Sequence, residues 1–266
     1  MYALHSRVRY SEADEKGRLS VSGIMNYLQD CCTMQAEDLG VGLSYLAEHH
    51  IGWFVTSYQI KLLKEMPMVG ESIVVKTWPY RFRGMLGYRN FTIEDQAGRV
   101  YVQADSLWIL MDLDKLSPVR LPQDMLDAYT IDPQLEGEWN LRKRKLPDTM
   151  TRVYDFTVTK LHLDTNHHMN NAHYVEAARE CLPRGQKISQ IYVEFRKSAV
   201  LSDQVICYSV QEENQRVVAL ENEDKELFAV VEFTINNKYE RKYNEIRMYA
   251  DLTGHKKSRF WCLSGR

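Results

Sequence analysis

The sequence lacks the features that define several large classes of protein. Its longest uninterrupted apolar runs, such as 107–111, have five residues, whereas a membrane-spanning helix needs about 20. The N-terminus has no apolar segment of the kind that directs secretion. Seven Pro and 13 Gly among 266 residues are too few for a disordered or fibrous chain, and a formal net charge of −2 disfavours a protein that coats nucleic acid. We therefore expect a soluble, cytoplasmic protein with no membrane span and no nucleic acid partner.

Cysteine is also scarce. The five cysteines form an odd-numbered set without a C-x-x-C pair, which disfavours both a disulfide framework and a thiolate zinc site. Cys31 and Cys32 fall within a helical pattern, and we interpret them as small core residues in a reducing compartment. No cofactor and no metal ion is expected.

The two halves of the chain repeat one pattern of secondary structure. Helical spacing at 21–40 and 171–181 is followed each time by four strand-like runs, at 53–60, 71–78, 86–93 and 99–111, and at 188–196, 204–210, 216–220 and 226–235. A strand-like stretch precedes each helix, at 7–10 and 153–158. The helix entrances at 14–20 and 164–170 lie 150 residues apart, which indicates a divergent duplication.

This repeat predicts an α+β fold made of two modules. A long helix beside a curved antiparallel sheet is buried only if the sheet wraps around it, and neither half can cover both faces of its own sheet. We therefore expect the halves to pair side by side. The predicted boundaries are an N-terminal module at 1–135, a polar linker at 136–150 and a C-terminal module at 151–266.

The most unusual segment is LHLDTNHHMNNAHY at 161–174, which holds four of the eight histidines. A hydrolytic site without a nucleophilic serine needs a base for water, a group that orients this water, and N–H donors for the developing oxyanion. The i, i+2, i+4 spacing of Asp164, Asn166 and His168 in a non-helical turn favours side chains that face one way. A helix that begins near Asn170 adds unpaired N–H groups at the same place.

Other interpretations of the same residues stay open. Asn170 or Asn171 is expected to be a helix N-cap, and His162 and His173 are expected to be packing or surface residues. Four histidines suggest a metal site, but no acidic or cysteine ligand at suitable spacing completes it. The equivalent turn of the first half contains Asp14 but neither the His nor the Asn, so only the second half is expected to carry the site.

The string D-x-N-x-H-x-N-N-x-x-Y at 164–174 resembles the active-site motif of the acyl-acyl carrier protein (ACP) thioesterases. Further ordered blocks resemble the same family, at 57–78, 89–93, 104–122 and 193–197. The resemblance implies a tandem (double) hotdog fold, in which each module is a long helix wrapped by a curved antiparallel sheet. It also implies hydrolysis of fatty acyl-ACP thioesters, with the acyl chain in the first module and catalytic residues Asp164, Asn166 and His168 in the second. Asp164 is then expected to activate water, with His168 orienting it or stabilising charge, although these two roles are exchangeable.

One position departs from the plant members of that family. Where they carry a catalytic Glu, this sequence has Ser198, which is expected to share a strand face with Glu194 and Arg196 if the strand stays regular. The alternatives to an acyl-ACP thioesterase are a hotdog thioesterase acting on coenzyme A esters, a dehydratase, and an acyl-binding protein without catalysis.

Several surface features bear on the partner. An acidic ACP would dock on a basic cluster, and the candidate clusters are 142–145, the group Arg81, Arg83 and Arg89, and 256–259. For 142–145 a solvated linker is favoured. Met25 and Met34 either line an acyl tunnel or fill the core. A homodimer is a further expectation.

Overall fold

The computed structural model of the protein describes residues 1–235. Its first half contains five long strands and three helices, in the chain order β1 (Tyr2–Arg7), α1 (Val21–Asp38), α2 (Leu43–Glu48), β2 (Ile51–Leu62), β3 (Ser72–Arg83), β4 (Leu86–Glu94), β5 (Val100–Asp112), the short β6 (Ser117–Pro118) and α3 (Gln123–Ala128). The second half contains β7 (Thr151–Thr157), α4 (Asn171–Arg179), β8 (Ile188–Phe195), β9 (Gln204–Glu212), β10 (Gln215–Glu221) and β11 (Leu227–Ile235). A 3₁₀ turn follows the first strand of each half, at Tyr10–Glu12 and Lys160–His162.

The strands of both halves form one continuous antiparallel sheet. Its order is β1-β3-β4-β5-β2-β8-β11-β10-β9-β7, with β6 attached to β5. The halves meet where β2 pairs with β8, in a register that runs from Ser57 opposite Glu194 to Lys61 opposite Gln190. The predicted side-by-side pairing is therefore confirmed, and the contact between the halves is a set of backbone hydrogen bonds as well as side-chain packing.

Each half wraps its sheet around one helix. The buried side of α1 consists of Val21, Gly23, Ile24, Met25, Tyr27, Leu28, Cys31 and Gln35, and its apolar members share one core cluster with inward residues of the sheet such as Val75 and Phe91. Burial of each large apolar side chain contributes roughly 1.5–3 kcal/mol, so this helix is held mainly by tertiary packing. Helix α4 is half as long, and its buried side is built from Ala172, Tyr174, Val175, Ala177 and Ala178.

Both helices begin at a capped residue. The side chain of Ser20 accepts a hydrogen bond from the Gly23 N–H at 3.0 Å, and the Asn170 side chain accepts one from the Ala172 N–H at 2.9 Å. Such caps satisfy N–H groups that have no partner inside the helix. The expectation that Asn170 or Asn171 is the N-cap of this helix is confirmed, and the cap is Asn170.

Three local expectations were wrong. The first strand lies at Tyr2–Arg7 rather than at 7–10, because the residues after Arg9 form a 3₁₀ turn. Strand β3 continues past Pro79 to Arg83, since a register shift between Pro79 and Arg81 accommodates the residue that has no N–H to donate. Met34 is 47% exposed, so it does not fill the core, whereas Met25 is buried in the core.

Helices α2 and α3 were not predicted from the sequence. Each has six residues, too few for a clear helical period or for stability as an isolated helix. They form beside a second, smaller core cluster in which Met125 of α3 packs with Val41, Ile51 and Leu110. Only this tertiary contact distinguishes the two segments from loops.

The segment between the halves, residues 136–150, crosses the junction of β2 and β8. We call this segment the strap. The Asn140 N–H donates to Gln59 Oε1 at 2.6 Å, and the Arg144 N–H donates to Glu194 Oε2 at 3.0 Å. The Arg144 guanidinium bonds Glu232 Oε2 at 3.0 Å and lies over the Tyr192 ring at 3.9 Å. The expectation of a solvated linker at 142–145 is therefore wrong for Arg144.

We predict that Arg144→Ala lowers the free energy of unfolding by about 2 kcal/mol, because the largely buried Glu232 carboxylate loses its guanidinium partner and the Tyr192 ring loses the cation that packs on it. Arg142→Ala is the matched control, since that side chain is exposed and its loss is expected to change stability by less than about 0.5 kcal/mol. Urea unfolding of both variants measures the difference. Equal stability of the two variants would contradict the strap.

Candidate active site

The three residues singled out in the second half lie on the turn that precedes α4. Asp164 Oδ1 accepts the Asn166 N–H at 2.8 Å and the His168 N–H at 3.3 Å. The Asp164 N–H donates to the His168 carbonyl at 2.8 Å, which closes the turn. One carboxylate oxygen therefore fixes the backbone from which the Asn166 and His168 side chains project.

The turn contains one residue in the left-handed region. His167 has φ +60°, and the residue 150 positions earlier is Gly17, with φ +72°. Left-handed backbone is costly for residues with a Cβ, so the first half uses glycine where the second half keeps a histidine. The strained His167 lies between Asn166 and His168, and strain of this kind is concentrated at functional sites.

Residues 199–200 connect the turn to helix α4. The Met169 N–H donates to the Ala199 carbonyl at 2.9 Å, and His168 forms an isolated bridge with Val200. Tyr174, which is buried, accepts the Ala199 N–H on its hydroxyl at 2.8 Å. The segment beside His168 is thus held by a side chain from the second turn of the helix.

The candidate site lies at the junction of the two halves. Strand β2 stays paired with β5 as far as Ile51, but its pairing with β8 ends at Ser57. Beyond the end of the pairing between β2 and β8, the His168 ring approaches the ring of Phe54, with 6.5 Å between centroids. The spacing of the motif gave no signal for Phe54, because its proximity depends on pairing between strands more than 130 residues apart.

A pair of histidines stands behind the turn. The His162 and His173 rings are in edge contact at 5.4 Å, and His162 Nδ1 accepts the Thr159 N–H at 2.9 Å. Burial, reinforced by the neighbouring His162, lowers the pKa of His173 below its usual 6.5. These contacts agree with the packing role expected for both residues.

The structure places Ser198 differently from the expectation. Strand β8 ends at Phe195, and the Arg196 and Lys197 N–H groups both turn to the Phe228 carbonyl, so the regular alternation that would align Ser198 with Glu194 stops. Ser198 itself is exposed. Glu194 is buried and paired with Arg196 at 2.6 Å.

The basic residues expected to dock the carrier differ in their exposure to solvent. Arg89 is buried and its guanidinium donates to Thr77 Oγ1 at 3.0 Å and to Gln35 Oε1, so it is an interior residue. Arg81 and Arg83 are exposed, with Arg81 over the ring of Tyr88 at 4.0 Å. The cluster at 256–259 lies outside the described residues.

The described residues contain neither a candidate metal site nor a candidate membrane-spanning helix. Within residues 1–235, no three His, Cys, Asp or Glu side chains converge on a position that would hold a metal ion. In the same range, no helix combines the length and the apolar character that crossing a bilayer requires.

Family models match both halves of the chain. The model of the acyl-ACP thioesterase N-terminal domain matches residues 1–129, and the model of the acyl-ACP thioesterase C-terminal domain matches residues 146–246. The chain is also 24% identical over 220 residues to oleoyl-ACP thioesterase 1 of Arabidopsis thaliana, and 23% identical over 211 residues to an acyl-ACP hydrolase of Cuphea viscosissima. These alignments cover 74% and 71% of this chain but only 60% and 50% of the two plant proteins.

Solved structures of similar proteins establish the fold. An acyl-ACP thioesterase from Bacteroides thetaiotaomicron superposes with a TM-score of 0.80 at 22% identity, over 88% of this chain and 97% of that one. The 12:0-ACP thioesterase of Umbellularia californica superposes with a TM-score of 0.77 at 18% identity, over 88% and 96% of the two chains. The predicted α+β tandem hotdog architecture is confirmed.

We predict that Tyr174→Phe lowers the free energy of unfolding by about 1–3 kcal/mol, because the buried Ala199 N–H loses its acceptor. Tyr10→Phe is the control, since Tyr10 is 88% exposed and the same chemical change there is expected to cost less than about 0.5 kcal/mol. Chemical denaturation compares the two. A neutral Tyr174→Phe would show that Ala199 is held in another way.

We also predict a loss of stability in mild acid that depends on His173. Its folded pKa lies below the ordinary 6.5, so its contribution to stability is complete above that pH. As the pH falls below 6.5, the unfolded chain takes up the proton first and the free energy of unfolding decreases. Thermal unfolding at a series of pH values should show a smaller decrease for His173→Gln than for the wild type, and parallel curves would refute the assignment.

Proposed function

This chain belongs to the acyl-ACP thioesterase family, and on that premise we propose that it hydrolyses fatty acyl-ACP thioesters to free fatty acid and the carrier thiol. The observation that carries the proposal is the turn at 164–168, which Asp164 closes and from which the His168 ring reaches Phe54 at the junction of the two halves. The residues on which we propose that the reaction depends are Asp164, Asn166 and His168. The chain aligns with 60% and 50% of the length of the two plant proteins, so the activity named for them is a proposal for this chain.

In the proposed reaction, the oxygen of a water molecule forms a bond to the acyl carbon while a basic side chain accepts one of its protons. The C–S bond of the resulting tetrahedral intermediate then breaks with its electron pair on sulfur, and the proton passes to that sulfur. The Asn166 amide is suited to stabilise the oxyanion, because it is a hydrogen-bond donor on the same turn as His168. The products are a fatty acid and a free thiol.

We propose that the first module, 1–135, holds the acyl chain and that the second, 151–266, supplies the catalytic residues. Support comes from the contact between His168 and Phe54, which joins the candidate site to the first half. A thioester bound beside His168 therefore has an apolar neighbour on the acyl-binding side. Phe54 borders the route by which a chain would leave the site.

An acidic carrier is favoured by the exposed cations of the first half. Arg144 is bonded to Glu232, while Arg142, Lys143 and Lys145 of the same linker cluster are exposed. In the first-half cluster Arg89 is buried, and the exposed members are Arg81 and Arg83. We propose that they contribute to docking. A cytoplasmic location and a homodimer stay predictions.

The alternatives differ in what the site must contain. An acyl-binding protein without catalysis needs no polar constellation at its helix entrance, so the turn at 164–168 favours an enzyme. A dehydratase must move protons on carbon and is expected to divide its acid and base between two modules, whereas the first half has Lys16 and Arg18 at the equivalent positions. A coenzyme A thioesterase differs only in its carrier.

The test of the function is a panel of acyl-ACP and acyl-coenzyme A esters of increasing chain length, with free thiol release as the measurement. We predict a higher kcat/KM for the ACP ester at every chain length that is hydrolysed. Equal or higher values for the coenzyme A esters would refute the carrier preference. No thiol release from any ester would refute the enzyme.

We predict that His168→Ala lowers kcat by at least about 100-fold, because proton transfer by a positioned group typically contributes 10²–10⁴-fold. His5→Ala serves as the control, since this histidine is exposed on β1. Both variants are expected to unfold at nearly the wild-type temperature. Retention of full activity by His168→Ala would remove this residue from the reaction.

A further inference from the structure

The two helix entrances of the duplicated fold differ in chemistry but share their hydrogen bonds, and this comparison separates structural residues from reacting ones. From it we propose that Asp164 is a positioning residue and that His168 is the base that takes the proton from water. The inference rests on the proposed function and assigns roles within its site. It reverses the assignment expected from the sequence, in which Asp164 activates water.

The first half shows what the aspartate does where the His and the Asn are missing. Asp14 Oδ1 accepts the Lys16 N–H at 2.9 Å and the Arg18 N–H at 3.0 Å. The Asp14 N–H donates to the Arg18 carbonyl at 2.7 Å, and the Gly17 N–H donates to the Asp14 carbonyl at 3.0 Å. The aspartate here closes a turn.

The second half repeats these bonds one for one, 150 residues later. Asp164 Oδ1 accepts the N–H groups of Asn166 and His168. The Asp164 N–H donates to the His168 carbonyl at 2.8 Å, and the His167 N–H donates to the Asp164 carbonyl at 3.1 Å. The Asp164 Oδ1 atom therefore has the same structural role as Asp14 Oδ1, and this role involves no substrate.

A second carboxylate near the site shows the same correspondence. Asp203 Oδ2 accepts the Val200 N–H at 2.9 Å, beside the bridge that joins Val200 to His168. In the first half Glu71 Oε2 accepts the Met68 N–H at 2.8 Å, beside the bridge between Met68 and Arg18. Asp203 is therefore also part of the architecture that the two halves share.

What distinguishes the second entrance is the pair Asn166 and His168. In the first half the second of these positions holds Arg18, whose guanidinium donates to the Met66 carbonyl at 2.8 Å and pairs with Glu65 at 3.0 Å. The side chain is thus engaged with its own half. His168 instead faces Phe54 across the junction, where a thioester would lie.

With these roles, one proton moves from water to His168 and then to the sulfur of the leaving thiol. A His168 ring nitrogen accepts a proton as the water oxygen bonds to the acyl carbon, and the imidazolium returns that proton to sulfur when the C–S bond breaks. Asp164 stays an acceptor of two N–H groups throughout. A shift of the turn would displace the imidazole, and a misplacement of about 1 Å is enough to cost about 100-fold in rate.

Two substitutions at Asp164 separate the roles. Asp164→Asn keeps an oxygen that accepts both N–H groups but removes the negative charge, whereas Asp164→Ala removes both. We expect kcat to fall by about 100-fold in Asp164→Ala and by less than about tenfold in Asp164→Asn. The acid limb of the kcat/KM profile, which reports the essential base, should persist in Asp164→Asn.

The matched controls are Asp14→Asn and Asp14→Ala, which make the same changes in the entrance without the His. Their thermal unfolding measures how much each change loosens a turn of this design. If Asp164→Asn loses as much kcat as Asp164→Ala while its melting temperature follows Asp14→Asn, or if its acid limb disappears, Asp164 is the base and the inference is wrong. A wild type that hydrolyses no thioester would instead refute the proposed function.

Discussion

The backbone pairing of β2 with β8 is the contact on which the rest of this structure depends. It joins two half-sheets into one, from Ser57 opposite Glu194 to Lys61 opposite Gln190. Without this pairing β2 and β8 would each be the edge strand of a half-sheet, with unpaired backbone N–H and C=O groups. The pairing ends before β2 does, because β8 ends at Phe195 while β2 continues beside β5. His168 and Phe54 face each other beyond the end of this pairing, so the same strands that build the scaffold also border the candidate site.

The two helix entrances share the same backbone hydrogen bonds, although their side chains differ. Both helix entrances contain a 3₁₀ turn, an aspartate that closes the next turn, and a polar N-cap. The frame therefore forms with either set of side chains. Changing Lys and Arg to Asn and His at two positions converts a structural turn into a candidate site, and it leaves the backbone hydrogen bonds in place. The one visible strain is at His167, which keeps the left-handed conformation of Gly17 without being glycine.

The strap illustrates how charge is handled at the junction. Glu194 and Glu232 lie on neighbouring strands where the linker crosses, and isolated buried carboxylates would be costly there. Arg144 bonds both of them, one through its backbone N–H and one through its guanidinium, and it packs on Tyr192. A run of basic residues is usually solvated, so composition alone indicated a flexible linker. The carboxylates that bind the arginine are 50 and 88 residues away in the chain, out of reach of any local pattern.

By itself the sequence determined the features that depend on local period and spacing. The repeated helix and strands, the start of α4 at Asn170 and the polar turn at 164–168 all follow from neighbours within a few residues. Only the tertiary structure decided which strands pair, that Phe54 stands opposite His168, that Arg89 is interior, and that α2 and α3 are helices, because each of these depends on contacts between distant segments. The role of Asp164 belongs to both levels. Its place in the motif was visible in the sequence, but the bonds that it shares with Asp14 exist only once both turns have folded.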